Sequence, residues 1–234
     1  MNNFNQKSQP EKIIFVLYYV VATIEVITES FSYKPLIFVF KPMIPLTLMA
    51  LYWITSKKRD PFFFVTVTLA LITDVFFIPN TERLLFFGLL FFFINRILII
   101  YYIVKLMKIK DYVPMFIAMI PFLFIFFYLL SISGELTVRT YYIVIIQNIL
   151  ISILAGIILS HYIMFYNKKA TWLFIFGLLC VTQYFIVFLE KYYLAGVSPA
   201  VFRPVAMILN TGVYFSFYKF IVAKKKLHNN RFSA

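Results

Sequence analysis

The sequence predicts an all-α fold: a polytopic membrane helix bundle with about eight transmembrane helices. Three observations predict it. First, 63% of the 234 residues are hydrophobic and 13% are charged, whereas soluble domains are typically about 45–50% apolar and about 25% charged. Second, the apolar residues form long continuous runs rather than alternating ones, which excludes barrel strands. Third, the basic residues gather in the short gaps between those runs, where membrane-flanking loops place them.

Crossing a hydrocarbon core of about 30 Å takes about 20 helical residues. The runs that meet this are Ile13–Thr28, Leu36–Thr55, Phe62–Ile78, Leu84–Val104, Val113–Ser131, Thr140–Ser160, Trp172–Leu189 and Val201–Val222. The breaks carry turn chemistry, as in Lys57-Lys58-Arg59-Asp60-Pro61, Pro79-Asn80, Ser133-Gly134-Glu135 and Gly196-Val197-Ser198-Pro199. The whole chain, 1–234, reads as a single integral membrane domain, with a polar N-terminal segment over 1–11 and a basic C-terminal tail over 223–234. The first run carries Glu25 and Glu29 and no small-residue cleavage pattern, so it reads as a retained span rather than a signal peptide.

The net charge of +13 is distributed for a membrane surface, not for nucleic acid. With eight spans both termini share one side. Fifteen Lys and Arg fall on that side, against Lys34, Arg83, Arg139, Lys191 and Arg203 on the other. This bias places both termini in the cytoplasm. Abundant Lys, Asn, Ile, Phe and Tyr fit an A+T-rich bacterial source and hence a bacterial cytoplasmic membrane. The single cysteine, Cys180, allows no intrachain disulfide and reads as packing. With only His161 and His228 besides, no zinc-type cluster is visible, nor is a Gly-rich phosphate loop. The sequence therefore implies no metal, nucleotide or other cofactor, and it sets no oligomeric state.

Charged groups within a span cost on the order of 3 kcal/mol or more and usually face the bundle interior. Here they are Glu25, Lys41, Asp74, Arg96 and Glu190, joined by Gln147, Asn148, Gln183 and Asn210. Although the spans alternate in direction, most of these positions agree in depth, which points to one polar cavity below the headgroups on the non-cytoplasmic side. Several lie on helical stripes: Tyr18, Ala22, Glu25 and Glu29; Thr66, Ala70 and Asp74; Asn148, Ser152, Gly156 and Ser160. Such stripes also serve as packing seams held by polar side chains. Lys41 with Asp74 reads either as a helix-positioning ion pair or as a functional pair. Lys41-Pro42 puts a proline inside a helix, which frees a carbonyl and kinks it, and Lys41 can hold a phosphate or carboxylate there; the alternative is a helix break filled by protein side chains. Glu29 and Glu190 lie near span ends, within reach of water, and Arg96 can snorkel.

The pattern resembles the YhhN family of eight-helix membrane proteins. Lys41-Pro42 matches its Lys-Pro, and Asp74, in Leu71-Ile72-Thr73-Asp74, matches the Asp of its Gly-Asp signature with Thr73 in place of Gly. The segment Gly88 to Tyr101 is similar to one bearing Gly, Phe, His and Tyr, with Asn95-Arg96 at the His position. Thr182-Gln183 stands where the family has Ser-Asp, Lys191-Tyr192 where it has Lys-Phe, and Asn210-Thr211 where it has Thr-Tyr.

The resemblance implies a lysoplasmalogenase-like membrane hydrolase. Such an enzyme cleaves the vinyl-ether bond of a lysolipid to a fatty aldehyde and a glycerophospho-base. Asp74 would be the acid or base, and Glu25 would replace the carboxylate missing at Gln183. Lys41, Asn95, Asn148, Gln183 and Asn210 would contact the lipid substrate. Two other readings fit the same residues: an inactive relative that binds a lipid or small amphiphile, and a small transporter.

Overall fold

The computed structural model describes residues 8–56, 59–79, 81–107, 112–133, 137–165, 168–194 and 201–231. Among them the chain forms eight α-helices and one π-helical turn: α1 (Gln9–Ser30), α2 (Lys34–Thr55), α3 (Pro61–Phe77), α4 (Glu82–Met107), α5 (Val113–Ser131), α6 (Val138–Met164), α7 (Lys168–Phe188), the π turn Leu189–Tyr193, and α8 (Phe202–Arg231). All but α3 are long and apolar enough to cross a membrane. The chain is thus a polytopic helical membrane protein. Helix α3 has 17 residues, about 25 Å at 1.5 Å per residue, a little short of the hydrocarbon thickness.

Helix α8 continues through Arg231, into the basic 223–234 segment. Helix α2 runs on through Pro42 and Pro45. The turn segments Lys57-Lys58, Asn80, Gly134-Glu135 and Gly196 to Pro199 lie outside the described residues, as does most of the 1–11 segment.

Local sequence explains the boundaries that are described. Asp60 caps α3: its side chain accepts from the Phe62 N–H at 3.1 Å, and Pro61 occupies the first turn, where a missing N–H costs nothing. Between α1 and α2 the chain reverses in a Schellman turn. Tyr33 N–H bonds to the Thr28 carbonyl and Ser32 N–H to that of Glu29, with Ser32 at φ 52° in the left-handed position usually given to glycine.

Helices adjacent in sequence pack as pairs, α1 with α2, α3 with α4, α5 with α6 and α7 with α8, and α8 also meets α1 and α2. Helix α5 joins the bundle chiefly through α6. Its outer face is bare hydrocarbon: Ile117, Ile120 and Phe124 are exposed. In water such a face would be an aggregation surface; in lipid it is the solvated one.

One end of the bundle is closed. Tyr52 stacks on Phe63 at 3.9 Å between ring centres, and Phe63 lies parallel to Phe217 at 5.9 Å. Beneath this plug Tyr102 donates to Asp60 at 2.8 Å, and Tyr218 donates to Thr55 at 3.0 Å. Tying tyrosine hydroxyls to partners from other helices removes the cost of burying them.

Helix α6 approaches α5 backbone at Gly156, where an added Cβ would lie 2.8 Å from the Met115 carbonyl oxygen and 3.0 Å from Met119 Cβ. Backbone cannot yield as a flexible side chain does. Gly156→Ala should therefore lower the unfolding midpoint in detergent by the equivalent of about 1–3 kcal/mol. Gly212→Ala, which meets only the Leu179 side-chain tip, should cost clearly less. Equal effects of the two substitutions in parallel denaturation curves would contradict this packing.

Candidate functional site

The end of the bundle opposite the aromatic plug is hollow. A cavity of about 660 Å³ is bounded by residues of every helix except α5. Ser32, Lys34, Glu82 and Arg203, all exposed, form its mouth. Its floor is apolar and buried, made by Val67, Ile99, Phe176 and Phe217. Polar side chains form a band between. In size it suits a small amphiphile.

Asp74 is the centre of that band. It is 9% exposed, near the end of α3. Tyr214 donates to its Oδ2 at 2.6 Å, and Asn210 Nδ2 reaches the same oxygen at 3.4 Å. Gln183 Nε2 donates in turn to Asn210 Oδ1 at 3.0 Å. The order Gln183, Asn210, Asp74 is a directed chain in which each amide is oriented by the next group. Both donors meet Oδ2, so Oδ1 is left without a hydrogen bond among the described residues. A carboxylate held by one oxygen, with the other available on a cavity wall, has the geometry of a general acid or base.

Lys41 does not pair with Asp74. Its ammonium lies 2.9 Å from Glu29 Oε1, with both side chains nearly buried. The Schellman turn explains this: it ends α1 at the level where Glu29 faces α2. Glu29, which the sequence allowed to reach water, is instead 6% exposed and neutralises Lys41. Glu25 is fully buried and does not line the cavity; its Oε2 accepts from Thr28 at 3.3 Å and its Oε1 has no partner. It makes no hydrogen bond with Asp74, so the expected pair of facing carboxyls is not formed.

The remaining expected residues divide. Asn95 and Gln183 line the cavity with Lys41, Asp74 and Asn210. Asn148 does not. It is fully buried, donates to the Phe126 carbonyl at 3.2 Å and accepts from Tyr184 at 2.7 Å, and so joins α5, α6 and α7. Its neighbour Gln147 takes the wall position and donates to the Leu89 carbonyl at 3.3 Å. Arg96 does not snorkel: it is 4% exposed and points to the cavity. Cys180, read as packing, is also on the wall.

Near the mouth, the π turn after α7 presents Glu190 and Lys191 to the cavity. Glu190 pairs with Arg203 at 3.0 Å, and Lys191 lies 4.8 Å above the Phe77 ring. Isolated π turns in otherwise regular helices are often found at functional sites.

Fold and cavity together define a polytopic membrane protein with a one-sided, carboxylate-bearing site. No protein-family model, characterised protein or solved structure matches the chain.

The Lys41–Glu29 pair has a measurable consequence. Removing one partner strands a charge inside the protein, which costs about 3–5 kcal/mol, whereas removing both is far milder. Lys41→Met and Glu29→Gln should each lower the unfolding midpoint strongly, and the double substitution should recover a large part of the loss. Additive losses in the double-mutant cycle would refute the pairing.

Proposed function

We propose that the protein is a membrane hydrolase that cleaves the vinyl-ether bond of a lysolipid, with Asp74 as its acid–base group. The observation that carries this reading is the Asp74 carboxyl: buried on a cavity wall, held at Oδ2 by Tyr214 and Asn210, and free at Oδ1. The YhhN-like residues Lys41-Pro42 and Asp74 support the same reaction class.

A single carboxyl suffices for the chemistry. Protonated Asp74 gives its proton to the alkene carbon remote from the ether oxygen, which leaves an oxocarbenium ion. Water adds at the carbon bound to oxygen and returns a proton to Asp74. The resulting hemiacetal collapses to a fatty aldehyde and the glycerophospho-base alcohol. One water is consumed and the enzyme is regenerated. Glu25 has no step here, because it does not reach the cavity. Gln183 acts at one remove by fixing the Asn210 amide.

The basic-residue bias supports a bacterial cytoplasmic membrane location with both termini in the cytoplasm. In that orientation the mouth opens toward the non-cytoplasmic side. The apolar floor and the stacked rings of Tyr52, Phe63 and Phe217 favour a site for binding and chemistry over a transport path.

A second reading is favoured by one observation: among the described residues no other carboxyl hydrogen-bonds with Asp74. On that reading the cavity binds an amphiphile without cleaving it. Purified protein in detergent, given a defined lysoplasmalogen and followed by aldehyde release, separates the two. Turnover is expected, with Asp74→Asn lowering it at least about 1,000-fold and Tyr214→Phe about 10–100-fold, as removal of a catalytic acid and of one orienting donor do. Binding without aldehyde release by folded wild-type protein would leave the second reading standing, and undiminished release by Asp74→Asn would overturn the role of Asp74.

A further inference from the structure

Five cationic side chains line the cavity, and four of them are accounted for. Lys41 is paired with Glu29 and Arg203 with Glu190. Lys34 is exposed at the mouth, and Lys191 rests on the Phe77 ring beside the Glu190–Arg203 pair. Arg96 differs from all of these. It lies fourteen residues along α4 from Glu82, about 21 Å down the helix, and is only 4% exposed.

Its guanidinium makes no ion pair among the described residues, its contact with a hydrogen-bonding group is with the neutral Cys180 thiol, and Nε is without a partner. Its neighbours are the face of Phe92 at 4.7 Å and the thiol of Cys180. Neither is a counter-charge. A cation–π contact offsets a small part of the cost of burying a guanidinium, and a thiol offsets less. An arginine buried without an anion is the arrangement that folding alone most strongly disfavours.

Two further polar atoms at the same wall are also unsatisfied. Asn95 Oδ1 and Gln147 Oε1 are buried, belong to cavity-lining residues and accept no hydrogen bond. Buried side-chain acceptors are nearly always satisfied in folded proteins. The gap at Arg96 calls for an anion, and the gaps at the two amides call for donors.

We infer that the deep part of the cavity is a binding site for an oxyanion borne by an organic amphiphile, held by Arg96. Hydroxyl or N–H groups next to that anion would donate to Asn95 and Gln147. The guanidinium fork matches a phosphate or a carboxylate in two parallel hydrogen bonds. The rest of the wall, with Leu85, Leu89, Phe92 and Met207, accommodates hydrocarbon. Lys41, the cation first suggested for a phosphate, is already neutralised and is the weaker partner. The assignment deepens the hydrolase reading by naming what would hold a lysolipid's phosphate. It is tested on molecules with no vinyl-ether bond, so it stands or falls separately.

The test is thermal unfolding and direct binding in detergent, with lysophosphatidate, glycerol 3-phosphate and a neutral monoacylglycerol as probes. Arg96→Met removes the charge at similar volume, and Arg96→Lys keeps the charge without the fork. Wild type should be stabilised by lysophosphatidate and not by the monoacylglycerol. Arg96→Met should bind lysophosphatidate at least tenfold more weakly, while its midpoint without ligand stays level or rises, because an unpaired buried charge is gone. Arg96→Lys should fall between. Stabilisation by glycerol 3-phosphate equal to that by lysophosphatidate would assign the site to a water-soluble phosphate ester, still held by Arg96. Three outcomes would overturn the inference: no probe shifts the wild type, Arg96→Met keeps wild-type affinity, or both variants fail to fold, which would make Arg96 a structural residue.

Discussion

Lipid offers no hydrogen bonds, and that lack governs this molecule. Backbone groups escape the penalty by forming helices. Side chains escape it by turning away from the hydrocarbon, so polar residues from separate spans are driven toward one another. Helix α5 shows the other half of the rule, since it presents almost nothing but exposed apolar side chains outward and is not part of the cavity wall. The polar band of the cavity is what remains when each helix places its few costly residues inside. Its position at one end follows from the other end being filled, by the stacked rings of Tyr52, Phe63 and Phe217.

The inward groups differ in how completely they are satisfied and in whether they face the cavity. Asn148 uses both its amide donor and its carbonyl within the protein, and Asp60 accepts from both Phe62 and Tyr102. Such groups fasten helices. Arg96, Asn95 and Gln147 each leave atoms unused. Every unsatisfied buried polar group costs about 1–3 kcal/mol, against a total stability of about 5–15 kcal/mol for a typical domain. Three such costs along one wall are large on that scale. A bound partner that supplies the missing charge and donors is the simplest compensation.

The sequence disclosed the fold and the membership of the polar band more readily than its wiring. Span positions follow from hydropathy, which depends on composition over some 20 residues and tolerates local error. Lys41, Asp74, Asn95, Gln183 and Asn210 were visible because a polar residue is conspicuous in an apolar run, and all five line the cavity. Pairing is set by fractions of a helical turn. Lys41 meets Glu29 rather than Asp74 because the turn at Ser32 fixes where α1 ends. Gln147 and Asn148 are adjacent and point about 100° apart, and here Gln147 faces the cavity while Asn148 faces α5 and α7. Tyr214, the closest partner of Asp74, was hidden among 17 tyrosines, most of which suit membrane interfaces equally well.

The backbone divides as the side chains do. Regular helix and tied tyrosines make up the closed end. Two departures from regularity lie at the mouth, the left-handed Ser32 and the π turn at Leu189–Tyr193, and prolines interrupt helix interiors at Pro42 and Pro45 of α2 and Pro121 of α5. Each loosens the ladder of helical bonds locally, which is how regions of low local stability arise. A rigid floor and a softer rim suit a cavity that fills and empties through one opening. Toward that opening, Glu190 with Arg203 and Glu29 with Lys41 pair their charges across helix boundaries. Two of the cavity-lining cations are thus paired with carboxylates, while Arg96 is buried with no ion pair among the described residues.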